Sequence, residues 1–87
     1  MIGRIAVSTQ GRDKGRAFII VDTPEENFVM LCDGELRRLE KPKRKKLKHI
    51  KLLAIDPVEI PETNKKLNEL IKNISQSYLG GNFRGKG

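Results

Sequence analysis

Tryptophan is absent from this 87-residue chain, and cysteine and histidine occur once each, as Cys32 and His49. A lone cysteine excludes an intramolecular disulfide. One cysteine with one histidine leaves no zinc-binding set and no neighbouring Cys-His pair for nucleophilic catalysis. No apolar run approaches the roughly 18–20 residues that span a bilayer, and "MIGRIAVSTQ" at the N-terminus lacks the apolar centre of a signal peptide. These absences predict a soluble, cytoplasmic protein with no membrane partner.

Aromatic residues are scarce: Phe18, Phe28, Tyr78 and Phe83. The first two lie inside apolar runs and read as core, and Phe83 sits in a glycine-rich tail, so a single-strand binder working by base stacking is not expected. Glu25, Glu26, Asp33 and Glu35 cluster near turn signals, with nothing to mark a general acid and base or a metal site. "GRDKG" has neither the spacing nor the following Lys-Ser/Thr of a P-loop. No catalytic residue, metal or cofactor is expected, and an enzyme is the least favoured class.

What is present is positive charge. Lys and Arg number 18 against 11 Asp and Glu, a net charge of +7. The excess is local: Arg37 to Lys51, "RRLEKPKRKKLKHIK", holds nine basic residues and one acid, whereas the remaining residues hold nine basic and ten acidic. Such a block reads either as a solubilising loop or nuclear import signal, or as a contact for a polyanion. A second basic loop on the same small domain favours nucleic acid. About six cations meeting single-strand phosphates would give a log–log salt slope near −4, which is affinity with little sequence information.

The first half of the chain alternates like strands. "GRIAVS" places Ile5 and Val7 on one face, "AFIIVD" is nearly continuous, and "NFVMLC" splits Phe28, Met30 and Cys32 from Val29 and Leu31. "TPEEN", residues 23–27, reads as a turn, and Asp33-Gly34 as a two-residue hairpin, which predicts meander strands near 16–22, 27–32 and 35–39. Pro42 forbids a helix through the basic block, so "KPKRKK" is expected as an exposed loop, with 48–55 as a final strand. Leu67, Leu70, Ile71, Ile74 and Tyr78 recur at helical spacing, with Thr63 as N-cap and Gly80-Gly81 as stop, predicting a helix over about 64–79. That helix either packs on the strands or docks a protein partner. The expected division is 1–56 as a β domain, 57–80 as linker and amphipathic helix, and 81–87 as a flexible Gly-rich tail.

Between the first two strands, "STQGRDKGR" sets Gly11 and Gly15 around Arg12, Asp13 and Lys14, with Arg16 following. A glycine-bounded tip reverses the chain and exposes backbone amides beside cations. Asp13 reads as a turn residue or an orienting partner for an arginine. A plain polar hairpin loop is the alternative.

"GRIAVSTQGRDKGRAFIIVD", followed by "FVMLCDGELRRL" and "KPKRKKLKHI", resembles the KOW-domain RNA-binding proteins, in the subset related to KOW-containing proteins of the large ribosomal subunit. Gly15 falls where the motif has its obligatory glycine, and the resemblance covers roughly residues 1–55. It implies a mainly β fold, an SH3-like barrel of about five strands followed by one helix, whose first inter-strand loop and basic segment lie against RNA. The candidate RNA-binding residues are Arg12, Lys14, Gly15, Arg16, Arg37, Arg38, Lys41, Lys43, Arg44, Lys45, Lys46, Lys48 and His49. His49 is expected to hydrogen-bond or to contact phosphate. The expected partner is structured RNA, ribosomal RNA first, bound by a monomer. A KOW module that binds protein in a transcription or translation complex is the alternative. The compact sequence suggests a bacterial source.

Overall fold

The computed structural model describes residues 1–78. Five strands form one antiparallel sheet: β1 (Ile5–Ser8), β2 (Ala17–Glu25), β3 (Phe28–Cys32), β4 (Lys43–Lys46) and β5 (Ile50–Leu52). A single helix, α1 (Asn64–Tyr78), follows. The expected fold class is thus observed. Strand order is β4-β3-β2-β1-β5, so the two edge strands are consecutive in sequence, joined only by a 3₁₀ turn at Leu47–His49. A three-residue link between opposite edges requires the sheet to curl, and backbone bonds carry the two flanking ladders into the link. Thr9 N–H donates to the His49 carbonyl at 2.9 Å, and Leu47 N–H to Asn27 at 2.8 Å. The bend is eased in β2, where register shifts around Val21 and between Asp22 and Glu25 form bulges, one of which holds Pro24.

Alternation then builds two apolar layers. Ala6, Phe18, Ile20, Val29 and Leu31 face the inside of the curl, with Leu47, Ile50 and Leu52 beside them. Ile5, Ala17, Ile19, Cys32 and Leu53 face the other way and are covered by Leu67, Ile71 and Ile74 of α1. The sheet is buried on both faces, which explains why "AFII" is continuously apolar. Burial, with a smaller contribution from Asp33, raises the Cys32 thiol to about 11, so Cys32 is an inert core residue. The helix starts where the sequence predicts: Thr63 Oγ1 accepts from Lys66 N–H at 3.1 Å. The expected stop at Gly80-Gly81 and the tail 81–87 lie outside the described residues.

The segment between β3 and β4 departs from expectation. Residues 35–39 form no strand, and the ladder partner of β3 is Lys43–Lys46, inside the stretch expected as an exposed loop. Asp33 diverts the chain: its Oδ1 accepts from Glu35 N–H at 3.0 Å and Arg37 N–H at 2.8 Å, occupying donors a hairpin would need. Asn64 of α1 then takes Leu39 N–H at 2.7 Å. The turn between β2 and β3 is narrower than predicted, at Glu26-Asn27, with Asn27 at φ 77°.

Gly34 is the tightest point between this loop and the helix. It sits at φ +82°, and a Cβ there would collide with the Asn64 carbonyl and lie 2.8 Å from Asn68 N. Gly34→Ala is expected to cost more than the roughly 1 kcal/mol of left-handed strain alone, because backbone cannot swing aside. A loss of about 2–4 kcal/mol in urea-unfolding free energy checks this.

Candidate nucleic-acid interface

The loop from Ser8 to Arg16 is held rigid from within. Gly15 N–H donates to the Ser8 carbonyl at 2.8 Å, Ser8 N–H to Arg16 at 3.0 Å and Arg16 N–H to Asp13 at 2.9 Å. Gly15 has φ +90°, a conformation open to glycine at little cost. Asp13 is only 3% exposed and turns inward. Its Oδ1 accepts from Ser8 Oγ at 2.7 Å and Lys45 Nζ at 2.8 Å, while Lys43 Nζ lies 3.2 Å from Oδ2. Burial pushes the Asp13 carboxyl upward, but the bonds from Lys45, Ser8 and Lys43 outweigh it and hold the group at about 2. Its partners are thus two lysines and a serine rather than an arginine.

The basic residues separate into two groups once their partners are known. Lys45 is buried at 7% exposure, its ammonium shared between Asp13 and the Gln10 carbonyl at 2.7 Å. Lys43, half-buried, serves the same carboxylate. Arg16 faces Asp33 at 3.3 Å and Glu35 at 3.7 Å. Arg44 pairs with Glu25 at 2.7 Å, and Arg38 with Glu40 at 3.1 Å. Arg37 is half-buried, and its backbone closes the Asp33 turn. Of the candidate RNA-binding residues, Arg12, Lys14, Lys41, Lys46 and Lys48 are exposed with no ion-pair partner within 4 Å, as are Lys51, Lys65, Lys66 and Lys72 elsewhere among the described residues.

Two grooves flank the loop. One, of about 480 Å³, runs between Gln10-Gly11 and the β4 edge and is lined by Phe28, Arg44, Lys45, Lys46 and His49. The other, about 650 Å³, lies between Lys14, Gly15 and Arg16 on one side and Asn68 and Lys72 of α1 on the other, with Asp33 and Glu35 also in its wall. The structure therefore gathers Gln10-Gly11, the β4 residues Arg44 and Lys46, and His49 of the 3₁₀ turn around one groove, where the Lys45 ammonium is committed to Asp13 and the Gln10 carbonyl. The contribution of α1 through Lys72 has no counterpart in the sequence reading, since an exposed lysine on a helix carries no signal by itself. Among the described residues, no group of three His, Cys, Asp or Glu side chains could hold a metal ion, and no helix is long and apolar enough to cross a membrane.

No protein-family model matches the chain. Curated proteins do: it is 38% identical over 52 residues to large ribosomal subunit protein eL14 of Aeropyrum pernix, covering 60% of this chain and 52% of that protein. It is 42% identical over 52 residues to eL14 of Staphylothermus marinus, covering 60% and 54%. With eL14 of Methanococcus maripaludis it shares 37% identity over 49 residues, covering 56% and 57%. The chain thus spans about half the length of the curated relatives it matches. All three organisms are archaeal, where the compact sequence suggested a bacterium.

Proposed function

We propose that this protein is a non-enzymatic, KOW-type RNA-binding protein of the ribosomal kind, which docks on structured RNA, ribosomal RNA in the first place, in the cytoplasm. The observation that carries the reading is the preformed loop from Ser8 to Arg16, whose buried Asp13, held by Lys43 and Lys45 of β4, fixes it beside that strand while Arg12 and Lys14 stay free at its tip. The similarity to ribosomal protein eL14 supports the same ligand class. Arg12, Lys14, Lys41, Lys46 and Lys48 meet phosphates, with His49 beside them at the end of the 3₁₀ turn. Lys45 and Lys43 act through Asp13 by placing the loop.

This division changes the expected magnitude. About five phosphate contacts give a salt slope near −3.5, so affinity falls roughly a hundredfold between about 50 and 200 mM salt. Lys46→Ala and Lys48→Ala are expected to weaken binding to different RNAs alike and to lower the slope by about one unit each, whereas Arg12→Ala with Lys14→Ala reduces discrimination among RNAs. Filter binding across a salt series measures both. Loop substitutions that leave affinity and selectivity untouched would count against the proposed surface.

The decisive experiment is sedimentation of cell extract through a sucrose gradient at low and high salt, with and without ribonuclease. Co-migration with the large ribosomal subunit or its precursors, abolished by salt or ribonuclease, is the expected result. Sedimentation only in light fractions would argue for a smaller RNA or a transcription partner instead.

A further inference from the structure

Arg44 is held in an unusual way for an exposed cation. Phe28↔Lys46 is a cross-strand pair, so Arg44, two residues back, shares the face of Phe28. Its guanidinium carbon lies 3.9 Å from the Phe28 ring centroid, within stacking range, and its NH2 group donates to Glu25 at 2.7 Å. The ring supports the flat cation from one side and the carboxylate fixes its edge, yet the side chain is still 49% exposed. A guanidinium whose charge is already paired is a poor phosphate contact. A fixed planar cation backed by an aromatic ring is instead a platform for another flat π system.

The platform borders the 480 Å³ groove, whose opposite wall is Gln10-Gly11 and whose end carries Lys46 and His49. The groove is open to solvent along its length, which suits a base entering from a bound strand. Lys46 is exposed and has no ion-pair partner among the described residues. We propose that this groove receives one unpaired nucleobase of the bound RNA, stacked on the Arg44–Phe28 platform, with Lys46 and His49 meeting the phosphate beside it. The inference rests on the RNA-binding reading above and adds a selectivity that phosphate contacts lack: RNA with an extruded base is preferred over continuous duplex.

The test compares two synthetic RNA hairpins, identical except that one carries a single bulged adenosine, at one fixed salt concentration. The bulged hairpin is expected to bind about tenfold more tightly, within the range measured for one stacked base. Its addition should shift the Phe28 ring signals in a carbon–proton NMR spectrum, and the fully paired hairpin should not. Arg44→Lys, which keeps the charge and loses the plane, should bring the ratio of the two affinities close to one, and Phe28→Leu should do the same. Equal affinities in the unmodified protein, or a preference that survives Arg44→Lys, would overturn the slot while RNA docking stands. Failure of both hairpins to bind would overturn docking and slot together.

Discussion

Replacing Asp13 by Ala is expected to lower the melting temperature by roughly 15–30 °C. The side chain is 3% exposed and faces Lys45 at 7% exposure, so deleting the carboxylate leaves an ammonium inside the fold with only the Gln10 carbonyl and no counter-charge. Breaking a buried pair on one side costs about 3–5 kcal/mol. In a domain of this size each kcal/mol is worth about 4–8 °C. Calorimetry of the variant checks the value. The companion variant separates pairing from packing: Asp13→Leu combined with Lys45→Met removes both charges and should recover much of the loss. If Asp13→Ala melted within a few degrees of the parent, Lys45 would have swung to solvent, and the ion pair would not be what holds the loop.

The same carboxylate sets a pH dependence of known sign. Asp13 is held at about 2, below its ordinary 3.8, so its charged form is favoured by folding. Its contribution is fully present above pH 3.8 and is lost as pH falls through 2, amounting to about 2 kcal/mol. Urea unfolding between pH 6 and 2 should therefore show an acid-side fall in stability that Asp13→Asn flattens. Because Arg12 and Lys14 ride on the loop that Asp13 anchors, the variant should also blunt discrimination among RNAs at neutral pH without removing a phosphate contact.

Much of this architecture can be read along the chain because it is written in short-range periodicity. Ile5 and Val7 alternate with Ala6 as strands do, Leu67, Ile71 and Ile74 recur as a helix does, and Thr63 caps where a threonine before a helical stripe should. The basic block misleads for a definable reason. "KPKRKK" looks solvated because lysine and arginine usually are, yet an edge strand accepts charges on its outer side and can point one inward. Lys45 points inward because Asp13 waits there, 32 residues away in sequence, and no local pattern announces a pair so distant. Asp33 misleads in the opposite direction. Asp-Gly suggests a hairpin, but its carboxylate captures the next turn's amides and its carbonyl accepts from Asn68 at 3.3 Å, 35 residues on, so the chain leaves the sheet for the helix before returning as β4. Phe28 read as core from its apolar neighbours, whereas the register of β3 on β4 sets it beneath Arg44 at a groove.

Leu67→Ala is expected to cost about 3 kcal/mol, and a chain ending at Glu59 is expected to lose its cooperative unfolding transition. Leu67 is fully buried and Ile71 nearly so, both against Ile5, Ala17, Ile19 and Cys32 on the outer face of the sheet. A buried Leu→Ala change falls in the range of about 2–5 kcal/mol. Ending the chain before the helix exposes the whole of that face and removes Asn64 and Asn68, which tie down residues 33–40 through Leu39 N–H, Glu40 and the Asp33 carbonyl. With those anchors gone, the loop that carries Asp33 also loses its hold on Arg16, so the loop from Ser8 to Arg16 loosens from the side opposite to Asp13. Thermal melts followed by circular dichroism distinguish the outcomes. A large fall for Leu67→Ala and a broad, non-cooperative melt for the shortened chain would make α1 an integral layer of the domain. Undiminished stability on ending at Glu59 would mean that the barrel stands alone, and α1 would then be free to leave it and dock a partner.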